Sequence, residues 1–98
     1  MSYLRKRSKR EVDTTDYLRM LGRMLRAAAV RCAESDEEEL GELCRLDTVL
    51  HQVLEDTVRG LRESGHTWQQ IGDAAGTTRQ GAQQRWGRQL DITSDARA

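Results

Sequence analysis

The first third of the chain carries apolar side chains at helical spacing. They recur at alternating three- and four-residue steps: Leu18, Leu21, Leu25, Ala28 and Cys32. This spacing places them on one face of an α-helix, and most arginines of the segment fall off that face. Asp13, Thr14 or Thr15 is suited to cap the start of this helix. The pattern therefore predicts a long amphipathic helix after residue 12.

A second apolar stripe follows and predicts a second long helix. Its members are Leu40, Leu43, Leu46, Leu50, Val53, Leu54, Val58 and Leu61. Ser35 or Asp36 is placed to cap it, and acidic residues 37–39 would occupy its first turn, where the helix dipole favours negative charge. Gly65 is the expected terminator.

The connection between the two long helices is short, which predicts an antiparallel hairpin. In that arrangement Arg31 approaches Glu38 and Glu39, and Arg23 approaches Asp47. The two apolar stripes form either the internal core of the hairpin or a seam between subunits, and the spacing fits both.

Two short helices are predicted between residues 65 and 87. Thr67 can cap the first, whose inner face carries Trp68 and Ile71, and Gly76 ends it. Thr78 can cap the second, which starts at Arg79. A repeat of four residues then places Ala82 and Trp86 on its buried side. Two short helices joined by a tight turn that contains glycine are typical of the helix-turn-helix unit.

This segment resembles the helix-turn-helix of phage repressor-type and actinobacterial regulators. In that family an aliphatic and a small residue precede the turn glycine by five and four positions, as Ile71 and Gly72 precede Gly76. A small apolar residue lies six positions after the glycine, where this chain has Ala82. The resemblance covers about 23 of the 98 residues. Arg85 occupies a position that is often apolar in the family, and Trp86 is expected to take over its packing.

The resemblance implies that the second short helix contacts DNA bases. Arg79, Gln80 and Gln84 match the base-contacting positions of the family. Helical geometry agrees, because Gln80, Gln84, Gly87 and Arg88 then lie opposite the buried face, and that outer face has no acid. Gln pairs with adenine and Arg with guanine in the major groove. Gly81 and Gly87 are expected to keep the outer surface of this helix narrow enough to enter a groove of DNA.

The DNA contacts fall into several predicted roles. Thr78 caps the recognition helix, and Gln69 contacts either a phosphate or only solvent. Trp68 and Trp86 are expected in the core rather than stacked on bases. The remaining polar side chains are expected at backbone phosphates: Gln83, Arg85 and Arg88.

Charge is unevenly distributed although the formal net charge is +0. Residues 1–33 carry nine Lys/Arg against three acids, residues 34–56 one against nine, and residues 57–90 five against two. Basic ends could bind a polyanion, or basic and acidic helices could pair. The N-terminal basic cluster could contact the DNA backbone or bind nothing: Arg5, Lys6, Arg7, Lys9 and Arg10.

Together these patterns predict an all-α fold, a long antiparallel helical hairpin followed by a C-terminal helix-turn-helix. The expected organisation is a mobile basic arm at 1–12, the hairpin at 13–64, the helix-turn-helix at 65–90 and a frayed tail at 91–98. Hydrophobic residues make up 37% of the chain and Phe is absent. So small a core favours shared burial in a homodimer through the long helices.

Other classes of protein are disfavoured. The longest apolar run, Ala27–Val30, is far shorter than a membrane span, and the N-terminus has no signal-peptide pattern. A cytoplasmic, nucleoid-associated protein is therefore expected. Cys32 and Cys44 lack metal-type spacing, and no cofactor or catalytic constellation is predicted.

The function expected from the sequence is sequence-specific binding of double-stranded DNA by a small transcriptional regulator. The alternative is an interaction module, in which the hairpin docks on a larger DNA-handling protein and the helix-turn-helix only positions it.

Overall fold

The computed structural model describes residues 9–88 and residue 90, and all regular structure in this part of the chain is helical. The all-α class is thereby confirmed. Four α-helices follow one another, and a π-helical turn at Gln83–Gly87 continues the last. They are α1 (Lys9–Ala33), α2 (Glu37–Glu63), α3 (Trp68–Ala75) and α4 (Arg79–Ala82).

Helix α1 begins at Lys9, so the predicted start at a cap among residues 13–15 is wrong. No glycine occurs before Gly22 and the chain has no proline, so the sequence contains no residue that would stop a helix from extending ahead of residue 13. Lys9 and Arg10 therefore belong to a helix rather than to an arm. Arg5, Lys6 and Arg7 lie outside the described residues, as does the predicted tail from residue 91.

The chain divides into two compact units, one reaching to Leu43 and one beginning at Cys44. In the first unit, none of the residues from 13 to 43 is buried. The apolar face of α1 is open to solvent, with Leu18 59% and Leu25 50% exposed. The predicted acids Glu37, Glu38 and Glu39 do occupy the first turn of α2. The α1 stripe therefore buries no core within this unit.

The second unit has a small core built from α2, α3, α4 and the π-helical turn. Its buried members are Val58, Ile71, Ala82 and Trp86. Leu61, Trp68 and Leu90 are half-buried and pack against them. This compact unit begins at Cys44 and includes most of α2. The reason is that Val58 and Leu61 pack with side chains of the short helices.

Within the second unit, part of the apolar stripe of α2 is buried and part of it is exposed to solvent. Val58 is buried in the core, Leu61 packs against it and Leu54 is half-buried, whereas the other side chains further towards the start of the unit are exposed. Leu46, Leu50 and Val53 are 46%, 50% and 51% exposed, and Val49 beside them is 47% exposed. Half of the predicted stripe is therefore surface in this chain.

The turn from α2 to α3 has the predicted chemistry. Gly65 has φ +94°, a left-handed conformation that suits glycine, and His66 N–H donates to the Leu61 carbonyl at 3.0 Å. Thr67 Oγ1 accepts from Gln70 N–H at 3.1 Å, and Gln70 Oε1 accepts from Thr67 N–H at 2.8 Å. This reciprocal capping box fixes the start of α3.

The turn from α3 to α4 is also formed by interactions between residues that are close in sequence. Gly76 has φ +74°, and Thr77 N–H donates to the Gly72 carbonyl at 2.8 Å. Gly72 is buried, and a Cβ at this position would lie 2.7 Å from the Thr78 carbonyl oxygen. The backbone of α3 can therefore approach the start of α4 only because residue 72 has no side chain.

Among the described residues, no helix has the length and apolar character needed to cross a membrane. In the same part of the chain, no group of three or more His, Cys, Asp or Glu side chains could hold a metal ion. Cys32 and Cys44 are free thiols.

Candidate nucleic-acid interface

The predicted cap of α4 is present. Thr78 has extended backbone angles, and its Oγ1 accepts from Gly81 N–H at 2.9 Å. The helix begins at Arg79, as predicted. The cap provides a partner for a backbone N–H that would otherwise lack one. It therefore fixes the residue at which α4 and its polar side chains begin.

One side of α4 and the π-helical turn is anchored in the core. Ala82 is 0% and Trp86 5% exposed, which confirms their predicted burial. The other side carries exposed polar side chains without any carboxylate between residues 79 and 88: Arg79, Gln80, Gln83, Gln84, Arg85 and Arg88. All six predicted DNA-contacting side chains of this segment are therefore accessible.

The helix does not continue as a regular α-helix after Ala82, and this corrects the predicted position of Gly87. In a π-helical turn each residue advances by a smaller angle, because hydrogen bonds span five residues instead of four. Trp86 and Gly87 are consequently both buried. A Cβ on Gly87 would lie 3.2 Å from Gln83 Cγ and 3.4 Å from Trp68 Cζ2, so this glycine faces packed side chains and does not narrow the outer surface.

Gly81 also has a packing role. A Cβ at this position would lie 2.5 Å from Thr77 Oγ1 and 3.2 Å from the capping Thr78 Oγ1. A side chain at residue 81 would collide with the capping threonine and its neighbour, so glycine is needed here for packing. The prediction gave it a different role, to let the helix enter a groove.

Arg85 lies over the ring of Trp86, with its guanidinium carbon 4.6 Å from the ring centroid. Trp86 is the buried residue, and Arg85 is exposed. A cation over an indole face is held by the ring quadrupole. Trp86 therefore does supply the packing expected of it, and Arg85 keeps its charge at the surface.

Gln69, predicted to contact either a phosphate or only solvent, has a partner within its own helix. Its Nε2 donates to Asp73 Oδ1 at 2.9 Å on the exposed side of α3. The amide is therefore oriented before any ligand binds, and a nearby carboxylate reduces the attraction of this spot for an anion.

A cleft of about 430 Å³ opens in the second unit. It is lined by Arg62, Thr67, Trp68, Gln69 and Arg79. Arg62 comes from the last turn of α2 and Arg79 is the first residue of α4, so packing of the helices brings two arginines to one cleft. Among the described residues, two arginines and no carboxylate line the cleft, and Asp73 lies beside it through its bond to Gln69.

Arg62 lines this cleft but is not among the residues that the sequence predicts to contact DNA. Its guanidinium carbon lies 4.9 Å from the centroid of the Trp68 ring, and Nη1 donates to the His66 carbonyl at 3.0 Å. The sequence does contain a signal for this contact, an arginine in the last turn of one predicted helix followed six positions later by a tryptophan at the start of the next.

Comparison of the chain with protein-family models, curated proteins and solved structures finds no match.

Proposed function

We propose that this protein binds double-stranded DNA sequence-specifically, as a small transcriptional regulator, with α3, its turn and α4 acting as a helix-turn-helix. The observation that carries the proposal is the acid-free polar surface between residues 79 and 88. It lies on a helix that a side-chain cap, a turn glycine and two buried side chains fix in place. A rigidly held helix with Gln and Arg on its outer side suits the donor and acceptor pattern of the major groove.

Within this proposal the exposed side chains have separate tasks. Gln80 and Gln84 contact base edges, because an amide can donate to and accept from one adenine. Gln83, Arg85 and Arg88 contact backbone phosphates, which position the protein but carry no direct sequence information. Thr78 orders the start of the helix. The surface needs no cofactor, and we assign no catalytic step to it.

The proposal includes a homodimer. One recognition helix spans only a few base pairs, and a dimer pairs two half-sites about one duplex turn apart. Exposed apolar faces on α1 and α2 supply area for the second copy, whether or not the two long helices form the predicted hairpin. Charge favours a second copy as the partner, because α1 carries six basic residues against three acidic ones and α2 three against eight.

Titration of variants against two duplexes tests the proposal. A preferred duplex is first obtained by selection from a random-sequence pool, and a random duplex serves for comparison. Gln80→Ala and Gln84→Ala should each weaken binding to the preferred duplex by about 1–3 kcal/mol and leave the random duplex nearly unchanged. Arg88→Ala should weaken both by similar factors.

Two control variants accompany these titrations. Gln52→Ala removes an exposed amide from α2 and should change neither affinity. Ala82→Asp places a charge in the core and should unfold the second unit, so all binding should be lost. If Gln80→Ala and Gln84→Ala weaken both duplexes equally, the protein attaches to DNA without sequence preference. If the wild-type protein binds no duplex, the adaptor function replaces the regulator.

A further inference from the structure

The cleft formed by Arg62, Thr67, Trp68, Gln69 and Arg79 contains two arginines that no carboxylate of the described residues neutralises. Neither Arg62 nor Arg79 forms an ion pair there, in contrast to Arg59, which pairs with Asp56 at 2.9 Å. A guanidinium has five N–H donors, and the bond to the His66 carbonyl uses only part of those of Arg62. Several donors therefore remain for a ligand.

The arginine side chain in α2 is held in place before any ligand arrives. The Trp68 ring lies under its guanidinium, and Trp68 itself packs against the core of the unit. Holding a long side chain in one orientation removes entropy that would otherwise be lost on binding. An anchored guanidinium at the mouth of a cleft is suited to a planar or tetrahedral oxyanion.

The other residues that line the cleft limit the kind of ligand that it can bind. Thr67 Oγ1 accepts from Gln70 N–H, and the Gln69 amide donates to Asp73, so both already have partners. The ligand must therefore be attracted mainly by the two arginines. Two like charges at one opening repel each other, and an anion between them removes that repulsion. A phosphate can accept from both guanidinium groups at once.

We infer that Arg62 and Arg79 together hold one backbone phosphate of the bound duplex in this cleft. The inference rests on the proposed DNA-binding function and adds Arg62 to its surface. It also changes the role of Arg79, which the sequence analysis predicted as a base contact. Gln80, one residue further along α4, keeps its proposed role at the bases.

Binding of single and double variants tests the inference. Arg62→Gln and Arg79→Gln should each weaken binding about tenfold, on the preferred and the random duplex alike. Each should reduce the slope of log affinity against log salt by about 0.9, which corresponds to one phosphate. The double variant should also lose about tenfold rather than about a hundredfold, because both side chains contact the same phosphate.

Arg45→Gln is the matched control, since it removes one exposed positive charge from α2 outside the cleft. It should change affinity much less than Arg62→Gln. Thermal melting of all variants checks that the fold is intact. Arg62→Lys, which keeps the charge but not the planar fork, should recover part of the lost affinity. If the double variant loses affinity by the product of the two single losses, the two arginines do not share one phosphate and the inference is overturned.

A second measurement uses wild-type protein and modified DNA. A neutral methylphosphonate is placed at each backbone position of the preferred duplex in turn. At one position the wild-type protein should lose about tenfold, while Arg62→Gln loses nothing further there. Absence of such a position overturns the inference but leaves the proposed function intact if Gln80→Ala still behaves as expected.

Inorganic phosphate distinguishes a duplex phosphate from a free one. It is titrated against the protein alone at constant ionic strength, with tryptophan fluorescence as the signal. We expect no saturation below millimolar concentration. Saturation in the wild-type protein but not in Arg62→Gln, together with unchanged duplex binding of Arg62→Gln, would assign the cleft to a free phosphate. Absence of duplex binding by the wild-type protein would overturn both proposals.

Discussion

At the scale of single residues, the glycines of this chain fall into distinct environments. Gly72 is enclosed, because a Cβ there would lie 2.7 Å from the Thr78 carbonyl oxygen and 2.9 Å from the carbonyl carbon. Gly60 lies in the open on α2, with no atom within 4 Å of a Cβ built on it. The same chemical change at these two positions therefore has opposite physical consequences.

Gly72→Ala should destabilise the second unit by about 1–3 kcal/mol, because the new methyl group meets backbone atoms that have little freedom to move. The higher helix propensity of alanine offsets only part of this effect. For a chain of this size, each kcal/mol corresponds to a fall in Tm of about 4–8 °C. Thermal unfolding followed by circular dichroism measures the change.

Gly60→Ala is the control for that measurement. It should stabilise the protein by about 0.5–1 kcal/mol, since alanine loses less backbone entropy in a helix and nothing obstructs its methyl group. If Gly72→Ala raises Tm as Gly60→Ala does, α3 and α4 do not approach each other as closely as described.

At the scale of elements, short helices depend on their ends. Helix α4 has only four α-helical residues before the π-helical turn, so its first turn contains most of its backbone donors. Thr78 satisfies one of them through Gly81 N–H. Thr57, by contrast, donates to the Val53 carbonyl in the middle of α2, where the backbone already has its helical partners. A threonine hydroxyl therefore has a different importance in each element.

Thr78→Ala should lower the free energy of unfolding by about 1 kcal/mol, because one backbone donor of α4 loses its acceptor. Binding to the preferred duplex should weaken as well, since the start of the recognition helix is no longer fixed. Chemical denaturation and the same duplex titration measure the two effects.

Thr57→Ala provides the comparison in α2. Its hydroxyl bond adds no missing partner to the backbone, and alanine has the higher helix propensity, so stability should stay constant or rise slightly. Equal losses in Thr57→Ala and Thr78→Ala would mean that the cap does not stabilise α4.

At the scale of the whole molecule, much apolar surface remains uncovered. The buried hydrophobic side chains are Val58, Ile71, Ala82 and Trp86 among the described residues. The exposed large ones are more numerous, and on α2 they form a patch made of Leu46, Val49, Leu50 and Val53. A contiguous apolar patch on so small a protein is typical of an interaction surface. We therefore expect this patch to contribute to the proposed dimer.

Leu50→Glu should convert the dimer to a monomer of 11.2 kDa, because it places a charge in the middle of the α2 patch. Sedimentation equilibrium at micromolar concentration measures the mass. Binding to a duplex with two half-sites should weaken in parallel, since the second recognition helix is no longer linked to the first.

Gln52→Glu introduces the same charge at an exposed polar position of α2 and should leave the dimer intact. A wild-type protein that stays monomeric both alone and on DNA would contradict the proposed dimer. A Leu50→Glu protein that remains dimeric would place the seam elsewhere, with the exposed face of α1 as the next candidate.

Features that depend on neighbours a few residues apart follow from the order of the amino acids alone. Capping by Thr67 and Thr78 and the left-handed turn at Gly76 could be predicted because each involves bonds within three to five positions. Burial of Ala82 and Trp86 followed from their spacing on one helix. The sequence predicts a start for α1 that is too late, since a possible cap at residues 13–15 does not force a helix to begin there.

How these local elements combine depends on packing between helices. Periodicity marks an apolar face of α2 but not what covers it, and packing against α3 and α4 buries Val58 while Leu50 stays exposed. The π-helical turn buries Gly87 beside Trp68, a residue far away in sequence. Arg62 and Arg79 line one cleft for the same reason: their separation in space depends on how three helices pack, and no local pattern specifies it.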